Sequence, residues 1–276
     1  MEIVTALVFC LGLTIAYGSS TGRTPCTDLT GTWRNELGSN MTVQRVGDSY
    51  KITGRYNTSV ESSAGASRIS SDISGLVQPV AGGSLVAFNV LWNHGASITS
   101  WVGQCLVCDG QEKLYTTWVL RSLQIPRKRW MSTRINQDTF WRVDEDSQDA
   151  AHDATVNVQS SDVLGNWKSV TGDSVEITQA SEQGSMEGLH KGSGAENGAP
   201  VFGRFDGNQT YIALGFAAAN NQYIRGWTGH IYNPQDANQQ METSWLSHTF
   251  SNLCNDPRKH VEYGMDYYSK GGANVE

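Results

Sequence analysis

The sequence predicts an all-β protein built from two consecutive copies of one small domain, each an antiparallel barrel or sandwich. Three tryptophan-containing segments occur twice, in the same order and with nearly the same spacing, which indicates an internal repeat. Short segments such as Met41–Val46 loosely alternate apolar and polar residues, and glycine turns separate them at regular intervals. No stretch has helical periodicity over three turns. The repeated segments are Gly31–Asn35 and Gly165–Ser169, Ser100–Cys105 and Gly226–Ile231, and Thr117–Arg121 and Ser244–His248.

The first residues are predicted to be a signal peptide, residues 1–18. An apolar run from Ile3 to Ala16 is too short to span a bilayer as a helix, and small residues follow it. No later stretch is apolar enough for a membrane helix, so we expect a secreted, extracellular protein without a membrane partner.

The mature chain divides into two domains. The first is predicted over 26–143, with half-buried strands at Met41–Val46, Val86–Trp92 and Tyr115–Leu120. A polar, acidic linker over 144–161 follows, and the second domain covers 162–269. A glycine-containing flexible tail, 270–276, ends the chain.

Charge excludes one class of partner. The formal net charge is −7, and the only basic cluster is the short Arg127–Arg129. The sequence therefore lacks the basic patch that is typical of nucleic-acid-binding proteins. Triplets beginning at Asn40, Asn57 and Asn208 are candidate glycosylation sites of a secreted glycoprotein.

Catalytic and metal chemistry finds little support in the sequence. The six histidines are scattered without metal-ligand spacing, and no nucleophile elbow or phosphate-binding glycine loop is present. Four cysteines remain after signal removal, and they allow three pairings, among which spacing does not choose. We expect structural disulfides, no metal, no cofactor and no enzymatic activity.

The aromatic residues of the first copy point instead to a small-molecule site. Five tryptophans there are interleaved with short polar residues, and buried hydroxyls and amides are costly unless paired. Aromatic walls with a few aimed polar groups are typical of ligand cavities. The alternative is that the tryptophans only fill a core. The residues concerned are Trp33, Trp92, Trp101, Trp118 and Trp130, with Asn35, Ser39, Tyr56, Thr58, Ser97, Thr99 and Asp138.

The first copy resembles the avidin and streptavidin family over nearly its whole length, in five segments that follow the family's order. These segments are Leu29–Thr42, Gly54–Val60, Trp101–Cys105, Thr117–Ser122 and Trp130–Phe140. The resemblance implies an eight-stranded, up-and-down antiparallel β-barrel that binds biotin at one end.

The resemblance also implies a role for each matching residue. Asn35, Ser39 and Tyr56 would donate to the ureido oxygen of biotin, and Thr58 and Asp138 would accept from its two N–H groups. Thr99 would contact the thioether sulfur. The ring would lie between Trp92, Trp101 and Trp118, with Leu37 and Leu120 beside it, and Ser97 and the loop from Val60 to Ser63 would face the carboxylate. In the family, a tryptophan at the position of Trp130 is lent to a neighbouring barrel. Cys26 and Cys105 match a family disulfide, and we suggest that Cys108 and Cys254 bridge the two domains.

Two positions near the mouth of the predicted site depart from the family. His94 and Gly95 stand where avidin has Phe and Ser, which puts recognition of the carboxylate end in question.

The second copy keeps the scaffold tryptophans but loses the predicted site. Ser169, Thr171 and Asp173 replace Asn35, Leu37 and Ser39. His190 and Gly192 fall where Tyr56 and Thr58 would be, and Asp266 corresponds to Asp138. Trp92 and Trp130 have no counterparts in the second copy. A carboxylate at position 173 would repel a ureido oxygen.

The functional prediction is a secreted protein that sequesters biotin tightly and non-covalently in its first barrel, with a degenerate second barrel. We expect a homo-oligomer or a pairing of the two barrels within one chain. The alternative is a structural assembly module of an extracellular protein, with little or no biotin binding. The intact polar set of the first copy argues against that alternative.

Overall fold

The computed structural model describes residues 24–60, 70–143, 158–194, 197–236 and 238–271. The predicted signal peptide, most of the predicted linker (residues 144–157) and the end of the predicted tail lie outside the described residues. In the described part of the chain, no helix is long and apolar enough to cross a membrane.

The first barrel is closed by eight antiparallel strands in up-and-down order, in which each strand pairs with the next and β8 pairs with β1. The fold class predicted from the sequence is thereby confirmed. A 3₁₀ segment, Pro126–Met131, lies between the last two strands. The strands are β1 Gly31–Asn35, β2 Asn40–Arg45, β3 Lys51–Asn57, β4 Ser71–Val80, β5 Gly83–Trp92, β6 Ser97–Cys108, β7 Gln111–Ser122 and β8 Thr133–Val143.

The second barrel repeats this arrangement, and β16 closes it onto β9. Val158, at the end of the predicted linker, packs against its core, and β16 extends through Lys270, the first residue of the predicted tail. The strands are β9 Gly165–Ser169, β10 Ser174–Ala180, β11 Ser185–Lys191, β12 Ala199–Asn208, β13 Tyr211–Ala219, β14 Tyr223–Tyr232, β15 Gln240–Thr249 and β16 Val261–Lys270.

Equivalent tryptophans lie in the core of each barrel. Trp33 and Trp167 are fully buried, and each indole N–H donates to the carbonyl four residues earlier, of Leu29 at 2.8 Å and Val163 at 3.0 Å. A buried indole N–H usually has a hydrogen-bond partner. The shared bond therefore gives the recurring tryptophan the same role in both barrels.

The two barrels pack against each other through β4 to β7 of the first and β12 to β15 of the second. A shared apolar cluster fills this interface, in which Leu85, Val102 and Val119 meet Phe202 and Leu246. The backbone at Gly226 lies directly against side chains of the first barrel: a Cβ there would lie 2.2 Å from Ser100 Oγ. The intramolecular barrel pairing foreseen from the sequence is therefore present.

Ion pairs and one disulfide also cross this interface. The carboxylate of Glu242 in the second barrel pairs with the fully buried Arg121 and, at 3.1 Å, with Arg129. Cys108 on β6 is bonded to Cys254 in the loop between β15 and β16, whereas Cys26–Cys105 lies within the first barrel. Both bridges agree with the pairing suggested from the sequence.

Candidate functional site

One end of the first barrel encloses a cavity of about 210 Å³. All thirteen residues predicted to contact a ligand line it, although they come from six different strands and two loops. Two further residues, Asn93 and Arg134, were not predicted. The predicted lining residues are Asn35, Leu37, Ser39, Tyr56, Thr58, Val60, Trp92, Ser97, Thr99, Trp101, Trp118, Leu120 and Asp138.

Aromatic rings form the inner walls of the cavity. Tyr56 stacks on Trp101 with 5.2 Å between ring centroids and meets Trp92 edge-on at 5.6 Å. Behind Trp101, Phe88 stacks at 4.9 Å. Because Tyr56 and Trp101 are each almost fully buried, these walls are held in place before any ligand enters. A flat, partly apolar ring would fit between such faces.

Three side chains present hydrogen-bond donors to the deep end of the cavity. The Oδ1 atom of Asn35 accepts from the backbone N–H groups of Ser39, at 2.8 Å, and Leu37, at 3.2 Å, which leaves its amide N–H₂ to donate. Ser39 Oγ accepts from the backbone N–H of Ser59 at 3.0 Å, so its own proton remains available. Burial raises the pKa of Tyr56 well above its usual value, and nearby Asp138 adds to this effect, which keeps the phenol protonated.

Two side chains present acceptors beside those donors. Thr58 donates its hydroxyl proton to the carbonyl of Val60 at 3.0 Å, so it faces the cavity as an acceptor. Asp138 Oδ2 accepts from the indole N–H of Trp101 at 2.9 Å, and lone pairs on its other oxygen remain. Burial raises the pKa of the Asp138 carboxyl, while hydrogen bonds from Trp101 and Trp118 lower it.

The mouth of the cavity is more exposed than its interior. Leu37 and Val60 are each about half exposed there, and Arg134 places a cation at the rim. Arg134 pairs in register with Leu120, so the β7–β8 register that brings Leu120 to the cavity brings Arg134 as well. Trp92 Nε1 donates to Thr99 Oγ1 at 2.8 Å, which fixes both residues on the wall between mouth and interior.

The turn at His94 and Gly95 packs on the second barrel as well as flanking the mouth. His94 Nδ1 lies 3.4 Å from Asp206, and a Cβ at Gly95 would lie 2.9 Å from Ala213. The contact with the second barrel accounts for a glycine at this position.

Trp130 does not line the cavity. It lies in the 3₁₀ segment and is 82% exposed. Its predicted contact with a neighbouring barrel stays a prediction.

Strand register places the second barrel's residues in the positions assigned to them from the sequence. Trp167 pairs with Val175, which pairs with His190, just as Trp33 pairs with Met41 and Met41 with Tyr56. Asp173 Oδ1 accepts from the backbone N–H of Ser193 at 2.7 Å, as Ser39 Oγ accepts from Ser59. Asp173 and His190 thus stand where the first barrel has two donors.

A residue that sequence reasoning missed occupies this end of the second barrel. Arg225 lies two residues before Trp227, as Thr99 lies two before Trp101, and its guanidinium is 4.2 Å from the ring centroid of Trp245. Its Nη1 lies 3.6 Å from Asp173. Burial, reinforced by Arg225, lowers the pKa of His190 to about 4, so that imidazole is neutral. The second barrel therefore holds its own planar cation where the first presents an open cavity.

One group of potential metal ligands occurs among the described residues, and it consists of Cys26, Cys105 and Glu112. The two cysteine sulfurs are bonded to each other, so they supply no thiolate, and Glu112 already accepts from the backbone N–H of Cys26 and from Arg142.

The comparisons with known proteins agree on one family. The family model described as Avidin family matches residues 23–143 and again residues 157–271. Avidin-related protein 4/5 of Gallus gallus is 36% identical over 117 residues, which are 42% of this chain and 77% of the relative. Avidin of Gallus gallus is 35% identical over 123 residues, 42% of this chain and 78% of the relative.

A larger protein and several solved structures also match. Fibropellin-1 of Strongylocentrotus purpuratus is 35% identical over 122 residues, 43% of this chain but 11% of that protein. The crystal structure of Xenavidin is 36% identical, with a TM-score of 0.40, over 44% of this chain and all of that chain. The X-ray structure of the biotin binding protein from chicken is 35% identical, with a TM-score of 0.40, over 43% of this chain and 98% of that chain.

Proposed function

This chain belongs to the avidin family, and from that premise we propose that its first barrel binds biotin tightly and without covalent attachment. Members of the family are non-enzymatic binding proteins, and biotin is their ligand rather than a cofactor. The observation that carries the proposal is the arrangement of three donors and two acceptors between aromatic walls in one cavity.

The polar groups match the hydrogen-bonding pattern of a cyclic urea. A ureido group has one oxygen, which accepts, and two N–H groups, which donate. Asn35, Ser39 and Tyr56 provide the donors for that oxygen, and Thr58 and Asp138 the acceptors for the two N–H groups. Because the protein itself already fixes these side chains, little ordering accompanies ligand entry. Such preorganisation allows small ligands to approach the upper limit of affinity.

The remainder of the cavity suits the rest of the ligand. Trp92, Trp101 and Trp118 would enclose the bicyclic ring, and the hydroxyl of Thr99 would face the thioether sulfur. Ser97 and Arg134 lie nearer the mouth, where the carboxylate of the ligand would emerge. The guanidinium of Arg134 is a favourable neighbour for that anion.

The second barrel provides no biotin site of its own in this proposal. Arg225, paired with Asp173 and stacked on Trp245, occupies the wall that corresponds to Thr99 in the first barrel. A carboxylate and a neutral imidazole replace two donors, so a ureido oxygen would meet repulsion there. The second barrel serves as an assembly partner for the first.

We place the protein outside the cell, where oxidising conditions maintain disulfides such as the two that it contains. Relatives of the avidin family commonly form oligomers, and the exposed Trp130 offers a contact for a further chain. Biotin sequestration is the role that fits a tight, non-catalytic site.

Isothermal titration calorimetry with biotin tests the proposal, and two matched variants sharpen it. Asn35→Asp keeps the Oδ1 acceptor that supports the turn but replaces the donor with a carboxylate. Ser169→Asp introduces the same carboxylate at the equivalent position of the second barrel. We expect wild-type protein to bind one biotin per chain. Asn35→Asp should weaken binding by at least about tenfold, because a donor becomes a repelling acceptor. Ser169→Asp should bind like wild type. No binding by wild type, or equal losses in both variants, would overturn the proposal.

A further inference from the structure

A loop of the second barrel packs against the outer surface of the first barrel. Residues 250–260, which connect β15 to β16 and are called here the clamp loop, cross the barrel interface and lie on β6, β7 and β8. These are the strands that carry Trp101, Trp118 and Asp138 of the candidate site.

The clamp loop is fastened to the first barrel at several points. The disulfide Cys108–Cys254 ties it to the end of β6. The fully buried side chain of Gln104 donates to the carbonyl of Pro257 at 2.8 Å and accepts from the backbone N–H of Ser251 at 2.8 Å. Both halves of the loop are therefore held against β6.

Arg258 extends from this loop to the backbone of the candidate site. Its Nη2 donates to the carbonyl of Asp138 at 2.8 Å and to Thr139 Oγ1 at 2.8 Å, and its Nε donates to the carbonyl of Thr116 at 3.1 Å. The guanidinium also lies 5.3 Å from the ring centroid of Tyr115. The planar guanidinium of Arg258 thus bridges Thr116 and Asp138, which are paired in register on β7 and β8.

Asp138 is held on both sides of its peptide unit. Its carbonyl also accepts from Thr116 Oγ1 at 3.1 Å, and the next N–H, of Thr139, donates to Glu36 Oε2 at 2.8 Å. Its carboxylate is aimed into the cavity by the indole of Trp101. Among these hydrogen bonds around Asp138, those donated by Arg258 come from the second barrel.

We propose that Arg258 of the second barrel is a positioning residue for the biotin site of the first barrel, where it fixes the backbone that aims Asp138. The inference rests on the proposed function. It gives the second barrel, where Arg225 lies against Trp245, a part in binding. A shift of the Asp138 carboxylate by a fraction of an ångström would weaken its hydrogen bond to the ligand, because such bonds depend steeply on distance and angle.

The first barrel provides a matched comparison in Arg129, which lies in the equivalent loop between β7 and β8. Its guanidinium crosses the interface in the opposite direction, to the carboxylate of Glu242 at 3.1 Å and to 4.2 Å from the ring centroid of Tyr232. Replacing Arg129 therefore removes a comparable contact across the interface. Arg129 itself touches no residue of the biotin cavity.

The test compares Arg258→Met with Arg129→Met in the full chain, by biotin dissociation rate and calorimetric Kd. We expect Arg258→Met to raise both by about tenfold, a change equal to about 1.4 kcal/mol. Arg129→Met should change them by less than about twofold. Arg258→Lys, which keeps the charge but donates from a single nitrogen, should fall between wild type and Arg258→Met and also serves if the methionine variant folds poorly.

A double-mutant cycle separates positioning from general loosening. In an Asp138→Ala background, Arg258→Met should cause no further loss of affinity, because the group that it positions is gone. An additive loss would overturn the inference. So would an Arg258→Met variant that releases biotin at the wild-type rate.

Hydrogen exchange without biotin provides a readout that does not depend on the ligand. Amides of residues 133–143 should exchange faster in Arg258→Met than in Arg129→Met. Equal exchange would overturn the inference. If wild-type protein bound no biotin, the proposed function would fail, whereas biotin binding with an unaltered Arg258→Met variant would remove only the role of Arg258.

Discussion

Replacement of Tyr56 by Phe is the sharpest single test of the donor set. The change removes one hydroxyl and keeps the ring that stacks on Trp101 at 5.2 Å and meets Trp92 at 5.6 Å. Because Tyr56 is only 3% exposed, no water replaces the lost donor at the ligand oxygen. The ureido oxygen would keep two donors, from Asn35 and Ser39.

The expected cost follows from the loss of one of three donors to a buried acceptor. Loss of a neutral donor at a buried acceptor costs about 1–3 kcal/mol, so the Kd for biotin should rise by about 5- to 150-fold. The free energy of unfolding without ligand should change by less than about 1 kcal/mol, because the apolar contacts of the ring are kept. The phenol stays protonated, since burial raises its pKa, so the factor should be the same across the neutral range.

The assay is competitive dissociation of labelled biotin, with desthiobiotin as a second ligand. Desthiobiotin keeps the cyclic urea but lacks the thioether, so Tyr56→Phe should weaken both ligands by the same factor. Tyr50→Phe removes a hydroxyl from a half-exposed tyrosine outside the cavity and should leave both ligands unaffected. An unchanged Kd in Tyr56→Phe, or a loss restricted to biotin, would refute the assignment of this hydroxyl to the ureido oxygen.

Further predictions concern the second barrel and acid stability. Calorimetry should give one biotin per chain, and a stoichiometry of two would contradict the interpretation of the second barrel. Asp173→Ser should not add a second biotin site, because Arg225 still lies against Trp245; a new site in titration would show that the carboxylate alone excludes the ligand. Burial, with Arg121 nearby, lowers the pKa of His230 to about 3, and burial near His260 and Arg258 lowers that of His248 to about 4, both from 6.5. The unfolded chain therefore binds more protons between pH 6.5 and 4, so the free energy of unfolding should fall as pH falls through that window, by up to about 3 kcal/mol for each histidine. Urea unfolding at several pH values measures the slope, which His248→Gln should reduce by about one proton; an unchanged slope would contradict the buried neutral imidazole.

Much of the candidate site could be predicted because the first copy resembles a family whose site residues it matches in order, and strand geometry agrees with that assignment. Side chains alternate across a strand, so a polar residue two positions from a wall tryptophan faces the same interior, as Thr99 and Trp101 do. The internal repeat supplied the register of the second barrel, and His190 accordingly stands where Tyr56 does. The same logic could have identified Arg225, which has the spacing of Thr99, so the signal was present in the sequence.

Contacts between the barrels had no comparable signal. Arg258, Gln104 and Arg121 meet their partners only because the two barrels are packed in one relative orientation, and no periodicity or spacing encodes that orientation. The bridge between Cys108 and Cys254 could be suggested because these cysteines lacked a family counterpart, but the reach of Arg258 to the carbonyl of Asp138 could not.

The covalent tie between the barrels makes their pairing independent of dilution. Separate subunits dissociate as protein concentration falls, whereas two partners joined by the polypeptide and by Cys108–Cys254 meet at a fixed, high effective molarity. Dilution would thus leave the pair intact. The contacts of the clamp loop with the first barrel should be the same at picomolar protein as at micromolar protein.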